Sequence, residues 1–146
     1  MKIKLINSYD INIAKFLFKI RKKKYVKTKL KSKAKTNFKK HNKWLINFFS
    51  LKKGIFYFIY KKNQPIGYVR VDRKRNFKEV SWALLKKFHN KGYAKKTLLF
   101  ATRKREMIFK ANVRKDNISS IRLAEKCGFE KIRLNKLFFI YKKFKG

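Results

Sequence analysis

Between Val80 and Met107 the chain changes pattern twice. An apolar run, Val80–Leu85, gives way to His89-Asn90-Lys91-Gly92-Tyr93-Ala94, and this to a helical apolar pattern over Lys95–Met107. A strand that enters a helix through a glycine turn commits the chain to a sheet with helices laid against it. It also leaves the first N–H groups of the helix facing outwards, where they suit a phosphate. One such turn is common. Downstream, however, Asn117-Ile118-Ser119-Ser120 opens a second helical stretch that closes in Glu125-Lys126-Cys127-Gly128-Phe129. Gly128 there suits a left-handed helix end. The two segments in this order constrain the fold more than either does alone.

The remaining elements follow from periodicity. Lys2–Ile6 alternates as a strand, and Asp10 caps a helix over Ile11–Lys22 with Ile11, Ala14, Phe16, Leu17 and Ile20 on its apolar side. Lys22–Lys40 is polar and lysine-rich, and reads as a loop or mobile arm. A helix from about Phe38 to Leu51 turns Trp44, Leu45, Phe48 and Phe49 inwards. Gly54–Tyr60 and Ile66–Val71 form a hairpin turning at Asn63-Gln64-Pro65, and a charged connection, Asp72–Phe77, leads to the strand Lys78–Leu85. After the glycine-turn helix come a strand at Ile108–Val113, a short helix at Asn117–Cys127, and strands at Phe129–Arg133 and Leu137–Phe144. The order is β, α, α, β, β, β, α, β, α, β, β. With 146 residues and neither repeat nor linker, it predicts one α/β (α+β) domain over 1–146.

Charge admits two explanations. Lys and Arg total 44 against 7 Asp and Glu, a net charge of +37. A polyanion partner would account for it: nucleic acid, anionic membrane or a phosphate-rich cofactor. Drift towards A/T-rich codons would equally supply Lys, Asn, Ile and Phe, and the spread of basic residues over the whole chain favours drift. An aromatic share of 16 % argues for a packed core. Cys127 is alone, so no internal disulfide forms, which fits the cytoplasm. No apolar run approaches the ~20 residues of a membrane span. Two histidines and one cysteine, far apart, do not suggest a metal site.

The segments quoted above resemble the GNAT superfamily of acetyl-CoA-dependent N-acetyltransferases. Their pyrophosphate loop, Gln/Arg-x-x-Gly-x-Gly/Ala, is matched by His89–Ala94, and Asn-x-x-Ser followed by Glu-Lys-x-Gly-Phe by Asn117, Ser120, Glu125, Lys126, Gly128 and Phe129. The resemblance implies a mixed, mostly antiparallel sheet flanked by helices, with acetyl-CoA as donor and an amine as acceptor. Ile66–Asp72, Glu79-Val80-Ser81, the His41-x-x-Trp44 helix and Arg21 look most like enzymes that acetylate nucleotide-linked amino sugars of the pseudaminic-acid type. Protein acetylation, of an N-terminal amine or a ribosomal protein, is a second reading. A basic nucleic-acid-binding module is a third.

Roles follow from the resemblance, residue by residue. Asn90, Lys91, Gly92, Tyr93, Ala94 and Lys95 would cradle the CoA pyrophosphate. His89 stands where the family has Gln or Arg, and Asn90 where Gly is common. The backbone near Leu84 or Leu85 lies where the family polarises the thioester oxygen, and Lys86 beside it would also contact the cofactor. Asn117 and Ser120 would approach the pantetheine arm. Arg21, His41 and Trp44 would line the acceptor pocket, although a core Trp beside a half-exposed His fits the same spacing. Glu79 is either the general base or a strand-end carboxylate paired with Lys78 or Lys131. The family's usual acid, a Tyr in the last helix, is replaced by Ala124, leaving Tyr141 and Tyr93 as possible substitutes.

Overall fold

A computed structural model describes residues 1–23 and 37–146, so the Lys22–Lys40 arm lies largely outside the described residues. The described elements run β1 (Lys2–Ile6), α1 (Ile11–Arg21), α2 (Phe38–Ser50), β2 (Gly54–Lys61), β3 (Gln64–Arg73), β4 (Lys78–Leu84), α3 (Tyr93–Ala101), β5 (Ile108–Arg114), α4 (Ile118–Lys126), β6 (Glu130–Leu134) and β7 (Phe138–Phe144). A 3₁₀ turn over Lys86–Phe88, which the sequence did not announce, joins β4 to the glycine loop. The strands form one mixed sheet in the order β1-β2-β3-β4-β5-β7-β6. Every neighbouring pair is antiparallel except β4 and β5.

Strand alternation sends side chains to two cores. One face carries Phe56, Phe58, Tyr68 and Ala83, covered by Ile13, Ala14, Leu17 and Ile20 of α1 and Leu45, Phe48 and Phe49 of α2. The other carries Val69, Val71, Val80, Phe109, Ala111, Val113 and Tyr141, covered by Leu98 and Ala101 of α3 and Ala124 of α4. Phe58, Leu17 and Leu45 are fully buried, each worth about 1.5–3 kcal/mol relative to exposure. Ile11 is exposed and Ile13 takes its place inside, because the Asp10 carboxylate accepts from the Asn12 and Ile13 N–H groups and so sets the helix phase.

Several expected boundaries move. The hairpin turns at Lys62-Asn63, both in the left-handed region (φ 51° and 63°), with Lys61 paired to Gln64; Gln64 and Pro65 belong to β3. The helix expected to reach Met107 stops at Ala101. There the Thr102 hydroxyl donates to the Leu98 carbonyl, and the Lys143 ammonium, buried beside it, donates to the Thr102 Oγ. The residues beyond Thr102 carry the chain back to begin β5 parallel to β4.

Candidate active site

The site begins where the sheet stops being continuous. β4 and β5 pair at only two positions, Lys78 with Phe109 and Glu79 with Lys110, and then part. Beyond Glu79, the β4 edge that faces β5 has no ladder partner there. In the antiparallel β3–β4 ladder, alternate β4 residues bond to β3 and those between face the other way. The Leu85 N–H donates to the Ile66 carbonyl at 2.8 Å, so it belongs to the β3 ladder. Leu84, one residue earlier, therefore turns its N–H into the opening. Of the two positions expected to offer a free backbone donor, Leu85 is excluded and Leu84 has the right direction.

The glycine loop lies next along the chain. Asn90 (φ 62°) and Gly92 (φ 84°) both adopt left-handed backbone, and Gly92 is the N-cap of α3. No side chain caps this helix, and a Cβ added to Gly92 would meet nothing within 4 Å. The first intrahelical bond starts at the Lys96 N–H, which donates to the Gly92 carbonyl. The amides of Tyr93, Ala94 and Lys95 thus precede the helical ladder and face open space, with exposed Lys91 and Lys95 beside them. This is the donor set that a pyrophosphate requires. His89 does something else: its Nε2 lies 2.7 Å from the Leu84 carbonyl, which ties the loop to the end of β4.

On the α3/α4 side of the opening, Asn117 caps α4 through its Oδ1, which accepts from the Ser120 N–H. Ser120 Oγ in turn accepts from Asn117 Nδ2 at 2.9 Å and from Trp82 Nε1 at 3.1 Å, linking α4 to β4. Ala124 is buried in the core below. The two candidate replacement tyrosines stand in different surroundings. The Tyr141 hydroxyl donates to Glu125, and burial together with that bond pushes its pKa up to about 12. Tyr93, whose pKa is lowered chiefly by a hydrogen bond with Lys61, stands at the loop instead.

On the α1/α2 side, Glu79 is half-buried. Its Oε1 accepts from Asn112 Nδ2 at 2.8 Å and its Oε2 lies 4.0 Å from the Lys74 ammonium. Of the two lysines expected beside it, Lys131 sits over the Phe139 ring at 3.7 Å. Asn112 was not anticipated, since a polar residue in a strand carries no sequence signal of its partner.

Arg21, His41 and Trp44 meet on the same side, in a narrow cleft they share with Leu17, Phe56, Tyr68 and Arg70. Arg70 holds Asp72 in a two-pronged ion pair at 2.6 and 2.8 Å, and its guanidinium lies 4.7 Å above the Trp44 ring. The Arg21 guanidinium is 5.8 Å from that ring. His41 is not half-exposed, as its spacing suggested, but only 3 % exposed, and its Nε2 has no hydrogen-bond partner. Burial, then the nearby Arg21 charge, lower its pKa to about 4, so the ring is neutral at pH 7.

Among the described residues no three His, Cys, Asp or Glu side chains stand together, and no helix is long and apolar enough to cross a membrane. A family model described as an acetyltransferase (GNAT) domain matches residues 12–130. The fold is similar to that of the PaiA N-acetyltransferase of Thermoplasma acidophilum in complex with coenzyme A, with TM-score 0.77, 17 % identity and 99 % of each chain covered. It is similar also to the spermidine N-acetyltransferase of Vibrio cholerae in complex with CoA and spermine, with TM-score 0.78, 11 % identity, and 96 % of this chain and 92 % of that one covered. A third similar structure is a ribosomal-protein-alanine N-acetyltransferase from Brucella melitensis, with TM-score 0.75, 16 % identity and 99 % of each chain covered. No curated protein matches the chain by sequence.

Proposed function

We propose the acceptor from one premise: the chain belongs to the GNAT acetyltransferase family and transfers an acetyl group from acetyl-CoA to an amine. The reading as a nucleic-acid-binding module without catalysis gives way to that premise. The acceptor is a nucleotide-linked amino sugar. The observation that carries this is the cluster of Arg21, His41, Trp44 and Arg70, on the same face of the sheet as Glu79. Two guanidiniums above an indole suit a phosphate-bearing ligand with a flat base, and a neutral imidazole nitrogen suits a hydroxyl or N–H of the same molecule. A polyamine would bring positive charge to two arginines, with Asp72 already held by one of them.

Acetyl-CoA supplies an acyl group activated as a thioester. The chain supplies the rest. The amides of Tyr93 to Lys95 hold the pyrophosphate, with Lys91 and Lys95 adding charge. The Leu84 N–H, with Lys86 beyond it at the mouth of the opening, faces the carbonyl oxygen where negative charge develops. Asn117 and Ser120 flank the pantetheine arm. Glu79 takes the proton from the attacking amine, directly or through water. We take residues 1–146 as one catalytic domain and assign it to the cytoplasm, in keeping with the single free cysteine, Cys127.

The test is an acceptor panel of UDP-linked amino sugars, spermidine and N-terminal peptides, read by CoA release. Amino-sugar nucleotides should give the highest kcat/KM, and Arg21→Ala should lower it about tenfold or more through loss of a charge-assisted contact. Faster turnover of spermidine or of a peptide would overturn the assignment.

A further inference from the structure

We propose that Asn112 is a positioning residue for the Glu79 carboxylate, an inference that rests on reading Glu79 as the base. Three features of the fold meet here. The β4–β5 ladder ends at Glu79 and Lys110, so Glu79 occupies the last paired position before the strands part. Asn112 lies two residues further along β5 and hence on the same face as Lys110. Its amide reaches back across the opening and donates to Oε1 at 2.8 Å. A side-chain bond thus crosses the gap where the backbone ladder has ceased.

The chemistry of the donor matters. Asp72 and Asp116 are each gripped by both prongs of an arginine, Arg70 and Arg114. Such a grip neutralises a carboxylate and occupies both oxygens. The Asn112 amide occupies one oxygen of Glu79 and carries no charge. It fixes the carboxylate plane without bringing a formal charge to it. The charged groups around Glu79 include Asp72 opposite on β3, the Lys74 ammonium at 4.0 Å and Lys110 beside it on β5. Without the amide, the carboxylate can rotate towards the Lys74 ammonium and away from the amine.

A double-mutant cycle tests this, with acetyl-CoA and whichever amine of the acceptor panel turns over fastest. Asn112→Ala should lower kcat about tenfold while leaving KM for acetyl-CoA within about twofold, the signature of lost geometry at the proton-transfer step. Asn112→Asp keeps the side-chain shape, removes the donor and adds a second anion, so it should cost at least as much. In a Glu79→Gln background, itself slower by about a hundredfold, Asn112→Ala should have no further effect. An equal loss in both backgrounds would make Asn112 merely structural and overturn the proposal, as would an unchanged rate for Asn112→Ala beside a slow Glu79→Gln. An unchanged rate for Glu79→Gln would instead overturn the base assignment, and the positioning role with it.

Discussion

Buried, neutral and without a partner at Nε2, His41 makes stability depend on pH in a calculable direction. Its folded pKa of about 4 lies below the ordinary 6.5, so between those values the unfolded chain binds a proton that the folded chain refuses. The contribution is fully present above pH 6.5 and is lost progressively as pH falls towards 4. It amounts to roughly 3 kcal/mol, since a tenfold change in proton affinity corresponds to about 1.4 kcal/mol. Urea unfolding at pH 7.0, 5.5 and 4.5 should show this loss in the wild type and a flatter profile in His41→Phe. Equal slopes would mean that the ring protonates without penalty. At this scale the sequence was partly legible. Gly92 and Asn117 carry fixed backbone requirements that a motif displays. The choice of Leu84 over Leu85 turns on ladder parity, and the Asn112–Glu79 bond on a strand pairing, and neither is written in residue type.

At the scale of elements, the type and order of the described strands and helices were readable from periodicity and turn residues, most cleanly where an element buries one face, as β5 does in alternation, and least so in β6, which is exposed throughout. The ends were less readable where side chains decide them: Thr102 and buried Lys143 shorten α3, and paired left-handed residues move the hairpin turn. Two glycines separate element stability from cofactor binding. A Cβ at Gly67 would lie 2.6 Å from the Ala83 carbonyl and 2.9 Å from Leu84 Cα, both backbone atoms of β4. Gly67→Ala should therefore push β3 and β4 apart and cost about 2 kcal/mol or more. Gly92→Ala meets no atom, and its strain at φ 84° should cost only about 1 kcal/mol. Its new methyl would, however, stand where the pyrophosphate approaches, so acetyl-CoA affinity should fall by about tenfold or more. Thermal melts with and without acetyl-CoA distinguish the two: Gly67→Ala lowers the Tm of the free protein, whereas Gly92→Ala chiefly loses the upward shift that acetyl-CoA confers.

Across the whole molecule, a net charge of +37 on 146 residues must repel itself. Only a few acids are engaged in ion pairs among the described residues, and most lysines lie at the surface. Raising NaCl from 50 to 500 mM should raise Tm by roughly 5 °C or more through screening, and weaken acetyl-CoA binding over the same range. A salt-independent Tm would show that the charges lie too far apart to interact. The short parallel seam between β4 and β5 adds a liability of another kind. A sheet that opens in its middle has two further edges, hidden between its outer ones, and an edge is a template for any stray strand. Beyond Glu79, β4 has no ladder partner on its β5 side, although His89 meets the Leu84 carbonyl there. On the site proposed above, acetyl-CoA would fill that gap, and the free protein should then aggregate faster on warming than its acetyl-CoA complex, as light scattering would show.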